Sequence, residues 1–240
     1  MHRTATLIFL GCLVGCTNPT SSVRPDAYYS DVSQLKAGES SLFAGDAAVL
    51  SDEAIGKILQ YRYSAPKVSR VAILPFGWSN WSGWSEEMAL STEQVNARVL
   101  ATLKTSSKVY DAAFLPSILV PEKRTVPYLR EAAARFQADL LVVFRSACQS
   151  FEKYRMFGSD ETKAYCSVEA VLLDTRTGLV PFVAASLQNF STTQAEKDIN
   201  FREAILRAQL NALASALGDV SERTVNFLES DSVSPTPDGT

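Results

Sequence analysis

Histidine is almost missing from this sequence: 240 residues contain one, His2. It stands ahead of an apolar leader. Once that leader is gone no imidazole remains for a Ser/His/Asp or Cys/His nucleophilic site, or for the usual zinc ligands. Most hydrolase chemistry ends there, and no catalytic, cofactor or metal residue is assigned. Carboxylate-pair and lysine chemistry stay open, but no spacing in the chain calls for either. An excess of basic charge is also lacking. Lys and Arg number 23 against 26 Asp and Glu, a formal charge of −3, which leaves no electrostatic case for nucleic acid. Long apolar runs are absent as well: Leu7 to Val14 is too short to span a bilayer as a helix, and no later segment does better.

What is present begins with that leader. His2 and Arg3 form a short polar or positive n-region, Leu7 to Val14 an apolar h-region, and Gly15 a small residue ahead of Cys16. Residues 1–15 are therefore expected to be a cleaved export signal. Leu13-Val14-Gly15-Cys16 resembles the lipobox of bacterial lipoproteins. Gly11-Cys12 is a competing site, although Phe9 in front of it fits less well than Leu13. The resemblance implies a diacylglyceryl group on the Cys16 sulfur, commonly with a third acyl chain on the new amino group. At roughly 0.8 kcal/mol per buried methylene, two or three chains hold a protein on a membrane durably. Thr17 stands where inner-membrane lipoproteins often carry aspartate, which points to the outer membrane. The mature charge becomes −4, because Arg3 is the one charged residue removed.

Residues 16–36 are polar, with Pro19 and Pro25 and no sustained period, and are expected to be a flexible tether. Residues 37–229 are expected to form a single α/β domain, and residues 230–240, with Pro235, Pro237 and Gly239, a disordered tail. Ser51 is the expected N-cap of a helix running to about Tyr61, with Ile55, Ile58 and Leu59 on one side. Val71-Ala72-Ile73-Leu74-Pro75-Phe76 is a short apolar run suited to a buried strand. A helix follows from about Ser91 to Lys104, marked by Val95, Val99 and Leu103, and Val109 to Phe114 is a second strand. Thr125 is expected to cap a helix that faces inward with Leu129, Ala132, Ala133 and Phe136.

From Asp139 the β signal is strongest. Leu140 to Phe144 leads to Cys148, a loop passes through Gly158-Ser159-Asp160, and a partner strand spans about Lys163 to Leu173. With the turn centred near residue 157, Cys148 faces Cys166, Arg145 faces Glu169 and Phe144 faces Ala170. One register thus satisfies a thiol pair and a charge pair together. Asp174-Thr175-Arg176-Thr177-Gly178 makes the next turn, Gly178 being free to take positive φ, and Leu179 to Phe190 returns as a third antiparallel strand. A long helix, about Ile199 to Phe227, closes the domain. Its stripe of Leu206, Leu210, Leu213, Leu217 and Val220 is expected on the sheet, the alternative being a coiled-coil partner. The layout is β-α-β-α-β-β-β-α, a mixed α/β sheet with helices against it, preceded by a short helix.

Three segments together resemble a domain shared by bacterial envelope proteins: the Val-Ala-Ile-Leu-Pro-Phe strand, Gln137-Ala138-Asp139 before an apolar strand, and Leu172-Leu173-Asp174-Thr175-Arg176-Thr177-Gly178. Those proteins are the curli secretion lipoprotein, the lipoprotein activator of penicillin-binding proteins and the amino-terminal domain of TolB. The likeness covers roughly Arg70 to Leu228, and its motifs mark a fold rather than a site. It implies a non-enzymatic outer-membrane lipoprotein, facing the periplasm, that serves as an adaptor or assembly factor for envelope proteins or assembles into oligomers. A subunit of a secretion channel and a glycan or small-ligand module are the alternatives. The Gln149 to Thr162 connection is short, charged and poorly alternating, unlike the long amphipathic hairpins of a curli-type pore.

Two constellations stand out as sites. Trp78, Trp81 and Trp84, all the tryptophan in the chain, lie within eight residues of one loop, spaced by Ser, Asn and Gly. Exposed indoles suggest a protein-docking surface or a glycan platform, unless they fold back as a lid on the core. Cys148 and Cys166 are expected to form a structural disulfide in an oxidising compartment. Lys123, Arg124, Arg130 and Arg135 make a small basic cluster that Glu122 and Glu131 dilute, so a solvated face is expected there.

Overall fold

The computed structural model describes residues 42, 50–76, 86–156, 158–196, 198 and 200–230, with residues 86–88 described as backbone only. Ser51 opens helix α1 (Asp52–Gln60), its Oγ accepting from the Ala54 N–H at 3.2 Å. That is the service expected of a serine cap. Ile55, Ile58 and Leu59 share a side of α1 as their spacing predicts, yet all three are exposed and no residue of this helix is buried.

Five strands form one mixed sheet. They are β1 (Ser69–Pro75), β2 (Val109–Phe114), β3 (Leu140–Lys153), β4 (Glu161–Asp174) and β5 (Phe182–Thr193), ordered β2-β1-β3-β4-β5. β1 runs parallel to β2 and β3, whereas β4 and β5 extend the sheet as antiparallel strands. Three helices pack against it: α2 (Glu86–Leu103), α3 (Val126–Arg135) and α4 (Phe201–Glu229). The chain steps from β1 outward to β2, then back across β1 to β3. Crossovers of one hand therefore put α2 and α3 on opposite faces.

Alternation along the central strands divides the core. Val71, Ile73, Leu140, Val142 and Phe144 face α2 and α4, packing with Val99, Leu103, Leu213, Leu217 and Val220. Ala72, Leu74, Leu141 and Val143 face α3, packing with Leu129, Ala132 and Ala133. Ile73, Leu140 and Leu213 are essentially fully buried, each contributing roughly 1.5–3 kcal/mol through removal from water. Leu213, Leu217 and Val220 of the α4 stripe lie on the sheet as expected, with alanines 208, 212 and 216 completing the covered face, whereas Leu210 is buried outside that cluster and Leu206 is half-buried.

Three expectations shift. Helix α2 begins at Glu86, about a turn before Ser91, because only Val95, Val99 and Leu103 carry the period of four. Strand β5 begins at Phe182 rather than Leu179, since Pro181 has no N–H for the ladder and Leu179 still closes the turn, its carbonyl accepting from Asp174 N–H at 2.9 Å. It runs on to Thr193, which pairs with Glu161. Thr125 does occupy the N-cap position of α3, but its side chain makes no cap bond. The Val126 N–H instead donates to the Leu42 carbonyl at 3.0 Å.

Candidate functional site

Cys148 and Cys166 stand directly opposite each other in the β3–β4 ladder, their sulfurs 1.98 Å apart. Both project to the side of the sheet that α4 covers, and Cys166 is fully buried. Nearby, the Gln209 amide of α4 donates to Ser150 Oγ at 3.3 Å. A bridge lying under a helix clamps the hairpin and is poorly placed to exchange with thiols in solution. Arg145 and Glu169, paired as the register predicts, meet at 2.8 Å on the other side of the sheet.

The motifs of the resemblance resolve into fold-closing devices. Gln137 takes φ +59° to end α3, and the Ala138 N–H returns to Ala133 O at 2.9 Å. Asp139 accepts the Arg70 N–H at 2.9 Å, while its own N–H reaches Arg70 O at 2.9 Å. Asp174, fully buried, accepts the Arg176 and Thr177 N–H groups and the Thr177 hydroxyl at 2.8–3.0 Å. Gly178 follows at φ +76°, with Arg130 Cδ 3.1 Å from where a Cβ would stand. Burial, and next the nearby Asp174 charge, push the half-buried Tyr63 hydroxyl above the usual phenol range.

The basic cluster disperses. Arg130 Nε donates to Thr175 O at 2.9 Å and Nη2 to Arg176 O, so this residue braces the turn. Arg135 pairs with Glu131 at 2.8 Å, Lys123 lies over Tyr128, and Arg124 lies over Phe76. Among the described residues these four side chains do not converge on one point. Cys16, Trp78, Trp81 and Trp84 lie outside the described residues. Among the described residues, no group of three or more His, Cys, Asp or Glu side chains is arranged to hold a metal ion. Nor is any of their helices long and apolar enough to cross a membrane.

The surface that single-strand reading misses lies on the side of the sheet opposite α4. Helix α3 covers this side at β1, β3 and the carboxyl end of β4, where Leu173 is fully buried and Val171 half-buried. Along the cross-strand row Val143, Val171, Val183, exposure rises from 4% through half-buried to 62%. The next rows bring Arg145–Glu169 beside Ala185, and Ala147 and Ser167 beside Leu187, which is 67% exposed. Phe151 and Tyr165 close the far end edge to face at 5.8 Å, with Lys163 Nζ 4.9 Å from the Tyr165 ring centre. On β5, Val183 and Leu187 point to solvent, whereas Phe182, Ala184 and Ser186 point under α4, Phe182 stacking on Phe227 at 4.8 Å. Alternation alone did not signal this, because Phe182, Gln188 and Phe190 fall in the same set as Ala184 and Ser186.

No family model and no curated protein matches the chain. Among solved structures, the PelC dodecamer from Paraburkholderia phytofirmans is similar at 14% identity and a TM-score of 0.35, over 67% of this chain and 89% of that one. Lipoprotein GNA1162 from Neisseria meningitidis is similar at 12% identity and 0.30, over 62% and 99%. A minor lipoprotein from Acinetobacter baumannii is similar at 7% and 0.32, over 66% and 89%. At such identities and scores these likenesses carry nothing about role.

Proposed function

We propose that this protein is a non-enzymatic lipoprotein of the bacterial outer membrane that faces the periplasm and acts as an adaptor or assembly factor, binding another envelope protein through the open side of β4 and β5. The exposed side of β5 carries the reading. Val183 and Leu187 stay in water on a rigid sheet, rimmed by the Arg145–Glu169 pair and the Phe151–Tyr165 edge. An apolar patch with a polar rim is the usual build of a protein-binding surface. The Leu13-Val14-Gly15-Cys16 string and Thr17 support the location, and a Cys148–Cys166 bridge suits an oxidising compartment. Trp78, Trp81 and Trp84 are proposed as further partner contacts, because indoles anchor interfaces strongly. On its strand and turn motifs we group the domain with those of the curli secretion lipoprotein, the penicillin-binding-protein activator and TolB.

Photo-crosslinking in the native cell tests this reading, with the crosslinker at Leu187 and, as control, at exposed Tyr110 on the far edge of the sheet. The expected result is one discrete heteromeric adduct from Leu187 that the control lacks and that Val183→Glu abolishes, while melting stays within about 0.5 kcal/mol of wild type. An adduct of two copies of this chain identifies an oligomer instead. Absence of any adduct refutes the adaptor.

A further inference from the structure

The opposite side of the molecule carries a second feature, independent of the sheet surface. Helices α2 and α4 run side by side. Val99 and Leu103 of α2 meet Leu217 and Val220 of α4 over the core, and beside this contact a gap runs between the helices from Ser91 and Glu203 to Val99 and Gly218. The gap is a groove of about 390 Å³, within the size range of small-molecule sites. Its floor is apolar, formed by Val95, Val99, Leu210 and Ala214, with polar side chains along the rim.

Two observations bear on what fits it. First, Arg98 on the α2 rim is exposed and has no ion pair among the described residues. Arg207 on the α4 rim is different: Asp198 grips it through both oxygens at 2.7 and 2.8 Å. Glu203 at that end is likewise engaged. The charge left free beside the apolar floor is thus a single guanidinium. Second, Gly218 lies within α4 and lines the groove, although nothing stands within 4 Å of where its Cβ would be. A glycine inside a helix is unfavourable relative to alanine, and packing in this structure supplies no reason for it. An occupant lying against the helix backbone does.

We propose that the groove between α2 and α4 binds a small organic anion with an apolar body, its carboxylate or equivalent acid group paired with Arg98 and its body lying over Val95, Leu210 and the bare backbone at Gly218. The anion takes the guanidinium as a charge-assisted, bidentate partner, and the body displaces water from the floor.

The probe is naphthalene-2-carboxylate, titrated calorimetrically into the full lipidated chain in lipid nanodiscs, with empty nanodiscs as reference. Naphthylmethylammonium is the charge-reversed control. The carboxylate is expected to bind with a Kd below about 1 mM, and at least tenfold more tightly than the ammonium. Arg98→Gln is expected to weaken it at least tenfold. Gly218→Leu should abolish it by filling the groove, and Gly218→Ala should raise the melting temperature. Equal affinity for the two probes, or no binding below about 1 mM, overturns the proposal. So does a fall in melting temperature for Gly218→Ala, which makes the glycine a packing residue. Arg98 is exposed, so its variant keeps the test decisive if the leucine variant does not fold.

Discussion

Asp198 sits between β5 and α4 with its side chain 2% exposed, held by both terminal nitrogens of Arg207 and by the Ala195 N–H at 2.7 Å. Truncating one partner of such a pair strands the other charge. Asp198→Ala is therefore expected to cost about 2–3 kcal/mol, discounted because Arg207 keeps some contact with water. Urea denaturation at neutral pH measures it, and a loss below about 0.5 kcal/mol refutes it. This pair was invisible in the sequence, where nothing marks Asp198 apart from other acidic residues. Arg145–Glu169 was legible, because a ladder with period two makes one known pairing specify all the rest. The same register delivered Cys148 to Cys166. Arg130 illustrates the opposite case: it counted as one of four basic neighbours, yet its role is to brace the turn at Thr175 and Arg176.

At the scale of elements, both ends of the α2–β2 connection are fastened by carboxylates. Glu229 at the end of α4 accepts from Ser106 Oγ and from the Ser107 N–H at 2.7 Å, and these bonds, the Ser106 hydroxyl first, hold its pKa below the usual carboxylate range. Asp111 of β2 is lowered by Lys104 first and Arg70 next, at 3.1 and 3.0 Å. A carboxyl whose pKa is lower folded than unfolded stabilises fully above the unfolded value and loses that stabilisation as pH falls through the folded one. The wild type should thus lose melting temperature below about pH 5, and Asp111→Asn with Glu229→Gln should flatten that decline. The two melting curves should converge in acid; a constant offset at every pH refutes the assignment. Helix existence and type were readable from periods of three and four. The start of α2 was not, since its first turn carries no repeat, and neither was the bare side of α1, which depends on what lies beside it.

For the whole molecule, position in the sheet sets local stability. β1 and β3 are flanked on both edges, whereas β2 and β5 form the sheet's edges, and on β5 the Ala185 carbonyl is met from outside by Arg223 at 3.2 Å. Native-state hydrogen exchange should find the amides of Ile73 and Val142 protected up to global unfolding and those of Val183 and Leu187 exchanging orders of magnitude faster. Uniform protection across the five strands refutes this ordering. The sequence by itself determined the α/β class, the order of elements, the hairpin register with its cysteine pair, and the turns closed by Asp174 and Gly178. Those features rest on periodicity and turn chemistry acting over a few residues. Only the tertiary structure decided that α3 reaches β4 at its carboxyl end alone, that Val183 and Leu187 of β5 stay in water, and that a groove lies between α2 and α4. Each depends on where a helix comes to rest on the finished sheet, which is set by side-chain volume summed across several elements and is written in none of them alone.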